Sequence, residues 1–180
     1  LYRRARRLHE QMITIDSHCD TPMLFAEGYE LGERSAIALV DLHKMAEGGL
    51  DVATMAAYLR QEARDEASLA QATQKAWWLL DGIRSRVQKC APFAALCDTP
   101  AQIRAVKAAG WKIIVPAIEN GYAIGLDLSN IEKFRKAGVV YITLCHNGDN
   151  DICDSARGNG EHGGLSPFGH RVVEEMNRTG

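Results

Sequence analysis

Apolar positions along the chain change their period in a regular way. Leu1, Ala5, Leu8 and Met12 recur at spacings of four, three and four, which predicts a helix over 1–12. A short apolar run, 13–16, follows as a strand and ends abruptly in His18-Cys19-Asp20. Residues 22–40 carry no period, and a loop of that length suggests a functional segment or lid. Asp41 can cap a short helix that stops at Gly48-Gly49. Leu50 to Tyr58 is apolar on both faces, the pattern of a strand buried on both sides in a parallel sheet. Leu69, Ala72, Ala76, Leu80, Ile83 and Val87 then mark a long helix over 65–89, with Trp77 and Trp78 read as core packing.

The second half repeats the alternation. Thr99-Pro100-Ala101-Gln102 is a capping box with proline at the first helical position, and its helix ends at Gly110. Lys112 to Ile118 is a third strand, closing in Glu119-Asn120-Gly121. Ser129 and Glu132 suggest another capping box, for a helix stopping at Gly138. Val139 to Leu144 is expected as a fourth strand, ending in Cys145-His146-Asn147. A polar loop rich in glycine, 147–164, leads to a helix opened by Ser166-Pro167 and stopped at Gly180. Strands alternating with helices imply a parallel sheet with helical crossovers.

Four strands fit either a small open sheet or the first half of a β/α barrel, which needs eight strands and about 250 residues. The polar residues decide for the barrel. His18 and Asp20 follow the first strand, Glu119 the third and His146 the fourth, all at C-terminal strand ends where a barrel places its chemistry. An open sheet favours a phosphate loop rich in glycine after the first strand, and residues 16–24 hold no glycine. The expected fold class is therefore a (β/α)8 TIM-like barrel of the metal-dependent hydrolase type. The 180 residues supply about its first four units and form the N-terminal half of one catalytic domain.

Composition changes this picture little. A net charge of −2 argues against a nucleic-acid surface, and Arg3, Arg4, Arg6 and Arg7 read as one solvated helix face. No apolar run is long enough to cross a membrane. The chain starts inside a helix, so a preceding segment is expected to be missing, and the compartment stays open between cytoplasm and periplasm or secretion. Five cysteines with no Cys-x-x-Cys pair exclude a zinc ribbon, while a single bridge between Cys145 and Cys153 stays open beside reduced thiols.

The strand-end residues carry the chemistry. On an extended backbone, positions two apart share a side, so His18 and Asp20 can grip one ion. Imidazole with carboxylate suits zinc or a similar first-row metal. Cys19 points the other way. Glu119, a carboxylate after so apolar a strand, needs a positive partner. Asn147, Asp149, Asn150 and Asp151 resemble a calcium loop, but such residues usually cap their own backbone. His9, His43, His162 and His170 suggest only solvated or capping roles.

Together these stretches resemble the N-terminal half of the membrane (renal) dipeptidase family of zinc peptidases. The family's His-x-Asp stands here as His18-Cys19-Asp20, and its Glu-Gly-Gly as Glu119-Asn120-Gly121. Its Tyr-Leu-Thr-Leu-Thr-His run stands as Tyr141-Ile142-Thr143-Leu144-Cys145-His146. Gly164 to Gly169 match its Gly-Leu-Ser-Pro-Phe-Gly unchanged, followed by Arg171-Val172-Val173 and Met176-Asn177. The resemblance implies a binuclear zinc site with His18 and Asp20 on the first ion and Glu119 bridging both. It implies that a hydroxide between the metals attacks the dipeptide carbonyl, with His146 contacting substrate and stabilising the developing oxyanion. It also implies catalytic roles for Glu119 and His146 and tolerance of D-residues on the C-terminal side of the bond.

Asn120 departs from the family's first glycine, a change to the turn and not to the ligand. The second zinc's histidines are expected beyond Gly180, on strands five and six. Expected partners are a dipeptide substrate, a second copy in a homodimer and the remainder of the barrel from downstream sequence, with no nucleic acid. Two competing readings are a related amidohydrolase acting on another small amide or lactam, and a noncatalytic metal-binding scaffold subunit. A strand and histidine after Gly180 would separate the enzyme from the scaffold.

Overall fold

The computed structural model describes residues 1–180. Its helices are α1 (Tyr2–Gln11), α2 (Leu42–Gly48), α3 (Glu66–Lys89), α4 (Pro100–Ala108), α5 (Ser129–Lys136) and α6 (Pro167–Thr179). Its strands are β1 (Ile15–Cys19), β2 (Val52–Tyr58), β3 (Ala94–Leu96) and β4 (Lys112–Glu119). The strands form one sheet in the order β1-β2-β4-β3, and the β1–β2 and β3–β4 pairs are parallel. No helix is long and apolar enough to cross a membrane. Backbone contacts gather into two compact units, Leu1–Ala56 with Asp81–Pro116, and Ala57–Leu80 with Ala117–Gly180.

The first unit holds most of the sheet. Val52 to Ala57 of β2 and Ile113 to Ile118 of β4 are buried without a break, as the two-sided apolar pattern required. Val52, Cys97, Ile113 and Val115 pack together, and Ile103 and Val106 of α4 close over them. Thr99 and Gln102 form the expected reciprocal capping box of α4. Asp41 accepts from the Lys44 N–H to cap α2, which ends at Gly49 with φ 70°. The segment expected as an irregular lid is instead partly ordered and docked. Thr21–Glu27 is a 3-10 turn, and Phe25, Tyr29 and Leu31 are buried. The Phe25 ring lies so close to α3 that a Cβ at Gly82 would stand 2.7 Å from it. Arg86 lies over this ring at 3.9 Å and donates to the Tyr29 carbonyl at 2.6 Å. By contrast α1 buries no residue, and the apolar positions Leu1, Leu8 and Met12 are exposed.

The second unit is built around Ile124, Ile131, Ile152, Cys153 and Val172, with Leu165, Phe168 and Met176 packed against them. Trp77 packs on Phe134 at 4.9 Å, as a core aromatic should, but Trp78 is exposed. Two further expectations fail. The segment 139–144 is not a regular strand: Ile142 makes one parallel bridge to Ile118, held by Ile118 N–H to Tyr141 O and Thr143 N–H to Ile118 O. Its apolar pattern is real, but a regular strand needs a run of bridges, and only one is made. Ser129 does not cap α5. Leu128 is already helical, and the Asp127 carboxylate accepts from both the Ser129 N–H and its hydroxyl. The actual third strand, Ala94–Leu96, was not anticipated, because three residues are too few to display a period.

One polar node ties β1 to β2 below the apolar layer. Asp51 accepts from the Thr14 N–H at 2.9 Å, the Thr14 hydroxyl at 3.1 Å and Lys107 Nζ at 2.5 Å. Burial alone would raise its carboxyl, but these donors outweigh burial and hold the pKa below the ordinary carboxylate range. A depressed carboxylate contributes stability that is present above its unfolded value, about 3.9, and lost as pH falls through the folded value. Bonds to a charged group contribute about 1.5–3 kcal/mol each, and partial solvent access places this pair toward the lower end. Asp51→Asn is therefore expected to lower stability by about 1–2 kcal/mol near neutral pH. It should also flatten the acid limb of a denaturation series below about pH 4; urea melts at several pH values check both.

Candidate metal centre

The two clearest chemical groups sit at the C-terminal ends of β1 and β4. At β1, Ile15 and Asp16 face Val52 and Ala53, but Cys19 faces Met55. Three steps along β1 thus oppose two along β2, and the extra residue makes a bulge at Ser17–His18. Bulges re-aim side chains. Here His18 Nε2 lies 3.2 Å from Asp20 Oδ1, and the His18 N–H donates to Asp16 Oδ1 at 3.1 Å. Asp16 therefore braces the bulge. Both His18 and Asp20 remain solvent-accessible, with side chains 36% and 54% exposed. Cys19 is buried on the opposite side, its sulfur 2.9 Å from Thr21 Oγ1. Burial pushes its thiol above the ordinary cysteine value.

At β4 the chain ends its buried run on Glu119, whose side chain is 12% exposed. The Glu119 carbonyl accepts from the Leu59 N–H at 3.1 Å, which fixes the strand end. His146 Nε2 stands 3.2 Å from Glu119 Oε1. The edge of the His146 ring meets the Tyr58 ring at 5.0 Å and 79°. Its main-chain carbonyl accepts from Ser155 Oγ at 2.5 Å. His146 Nδ1 is the one buried side-chain nitrogen or oxygen without a hydrogen-bond partner.

His18 and Asp20 at the end of β1 offer an imidazole nitrogen and a carboxylate oxygen, and Glu119 at the end of β4 offers a second carboxylate. One imidazole nitrogen and two carboxylate oxygens are a donor set that fits zinc or a neighbouring first-row ion. His146 approaches Glu119. The polar loop is self-capped, as its residue types suggested. Asp149 accepts from the N–H groups of Ser155, Asn159 and Gly160, and Asp154 from those of His162 and Gly164. All five cysteines are free, so the Cys145–Cys153 bridge does not form.

The sequence reading missed the groups that surround these residues. Tyr58 was read only as a strand end. Asn150 suggests only a calcium-like loop that caps its own backbone, and Thr143 and the Asn120 side chain suggest no role. Their only signal was Asn120 at a glycine position. Its φ of 85° explains that signal, since such backbone costs a residue other than glycine about 1–3 kcal/mol.

The parallel sheet thus carries His18 and Asp20 at the end of β1 and Glu119 at the end of β4. The chain belongs to the membrane dipeptidase family, peptidase family M19, whose model matches residues 2–180. It is 28% identical over 191 residues to dipeptidase verJ of Clonostachys rogersoniana, covering 98% of this chain and 49% of that protein. The crystal structure of the probable dipeptidase PvdM from Pseudomonas aeruginosa superposes with a TM-score of 0.88 at 25% identity, over 98% of this chain and 47% of that one. A metallo peptidase from Rhodobacter sphaeroides, liganded with a phosphinate mimic of the dipeptide L-Ala-D-Ala, shares the fold with a TM-score of 0.77 at 21% identity, over 93% of this chain and 56% of that one. The fold is thus the parallel α/β type of the family's TIM-barrel structures, and the chain spans about half the length of these relatives.

Thiol accessibility follows from this geometry. Burial raises the pKa of Cys19, Cys90, Cys97 and Cys153, the last to about 12, with the Cys145 thiol adding to its shift. With an aromatic disulfide reagent at about pH 8, near the ordinary cysteine value, half-buried Cys145 should react first and the other four slowly. Five equivalents should react at once in denaturant. Fewer than five after isolation without reductant would contradict the free-thiol arrangement.

Proposed function

We propose that the full-length protein is a zinc-dependent dipeptidase, with a binuclear site completed by residues beyond this half. The carrying observation is the mostly buried Glu119 at the end of β4, 3.2 Å from His146, in a chain whose β1 ends in His18 and Asp20 and which the family model matches over residues 2–180. A carboxylate at the end of so apolar a strand is costly to bury unless positive charge meets it. Metal ions of this kind, when bound, lower the pKa of a water to near neutrality and polarise a carbonyl.

The protein's own residues divide the remaining work. His18 and Asp20 would hold one ion from the end of β1, and Glu119 would serve the metal pair as a shared carboxylate. His146, set against Glu119 and the Tyr58 ring, contacts the substrate and donates a hydrogen bond to the carbonyl oxygen as it gains charge. The family membership and the dipeptidase names of its relatives support a dipeptide as substrate. The dipeptide mimic bound by the Rhodobacter neighbour makes L-Ala-D-Ala a suitable first probe beside L-Ala-L-Ala.

Elemental analysis of the full-length protein should find about two zinc ions per chain, the count expected of a paired-metal site. Dipeptide hydrolysis should be lost on chelation and return with zinc. Glu119→Gln should cut turnover at least on the order of 100-fold, as expected when a bridging charge is removed. A protein without bound metal, or a variant with unchanged turnover, would reject this mechanism.

A further inference from the structure

We propose that Asn120 is a positioning residue that sets the Glu119 carboxylate against His146 by clamping three loops together. The inference rests on the reading of Glu119 as a metal ligand. Asn120 is fully buried, follows Glu119 directly, and is the single residue other than glycine with a positive φ. Glycine could adopt this backbone freely, so the asparagine side chain has to serve another purpose.

Its bonds identify that purpose. Asn120 Nδ2 donates to the Leu59 carbonyl at 3.0 Å and to Gln61 Oε1 at 3.2 Å, in the segment after β2. Asn120 Oδ1 accepts from the Tyr122 N–H at 3.1 Å and from Asn150 Nδ2 at 3.0 Å. The Asn120 N–H donates to Thr143 Oγ1 at 2.8 Å. Both amide protons and both carbonyl lone pairs are therefore used.

Asn150 carries the clamp to His146. Its Nδ2 also donates to the Leu144 carbonyl at 2.8 Å, two residues before His146, and its Oδ1 accepts from the Ile152 and Cys153 N–H groups. At Gly121 a Cβ would stand 2.8 Å from the Leu144 oxygen, so the β4 turn and the His146 segment are in direct contact. The 3.2 Å approach of His146 to Glu119 is thus spanned by a buried pair of asparagines with every donor and acceptor occupied.

Asn120→Gly tests this in the full-length protein, because it keeps the backbone conformation and deletes only the side-chain bonds. Residues that orient a metal ligand typically change metal affinity on the order of 10–100-fold. Zinc affinity, measured by competition with a chromophoric chelator, should fall by that order, and kcat should fall more than KM rises. Thr143→Val, nearly isosteric, removes one bond and should give a smaller loss in the same direction. It keeps the test open if the glycine variant does not fold. A lower melting temperature in both variants with unchanged zinc affinity and kcat would overturn the positioning role. Wild-type protein without zinc would instead overturn the metal reading beneath it, and that result appears before any variant is compared.

Discussion

A carboxylate at the end of a buried strand is the constraint on which the site depends. β4 brings six consecutive buried residues to Glu119, and nothing apolar there can satisfy its charge. The structure sets His146 at 3.2 Å from it and carries His18 and Asp20 at the end of β1. Each is delivered by a strand end or the segment after one. The apolar strands cannot move without breaking the packing of Val52, Ile113 and Val115, so their ends are held at fixed points. Rigidity of the core thereby becomes precision at the rim.

The second requirement is that loops leaving those ends do not drift. The docked 3-10 turn after Asp20 is held by Phe25 against Gly82 and by Arg86 on the Tyr29 carbonyl. The turn after Glu119 is held by the bonds of Asn120, and the segment reaching His146 by those of Asn150. Strain is accepted at Asn120 where an interlocked set of hydrogen bonds offsets it. Far from the site, the Thr14–Asp51–Lys107 node performs the same task for the entry to β1 and β2.

Much of this was legible residue by residue. The two-sided apolar runs of β2 and β4, the Thr99/Gln102 box, the Asp41 cap and the Gly49 stop are each decided by neighbours within a few positions. The motif at His18 and Asp20, Glu119, and the run to His146 carried the family resemblance, which the match over residues 2–180 bears out. What failed did so for a common reason. Val139–Leu144 has a strand's pattern but one bridge, Leu128–Ser129 yields its cap to Asp127, and Trp78 stays exposed beside core Trp77. In each case the outcome depends on a partner that local pattern does not name.

By itself, then, the sequence determined which stretches are apolar on two faces, where most helices begin and stop, and which strand ends carry imidazole and carboxylate groups. These properties arise from side-chain periodicity and short-range hydrogen bonding, which act within one turn or strand. Tertiary structure alone decided that a bulge shifts the register of β1 between Asp16 and Cys19, that His146 faces Glu119, and that Asn120 spans three loops. Those depend on register and on contacts between residues as many as 61 positions apart, such as Asn120 and Leu59. Such contacts exist only once the strands have paired.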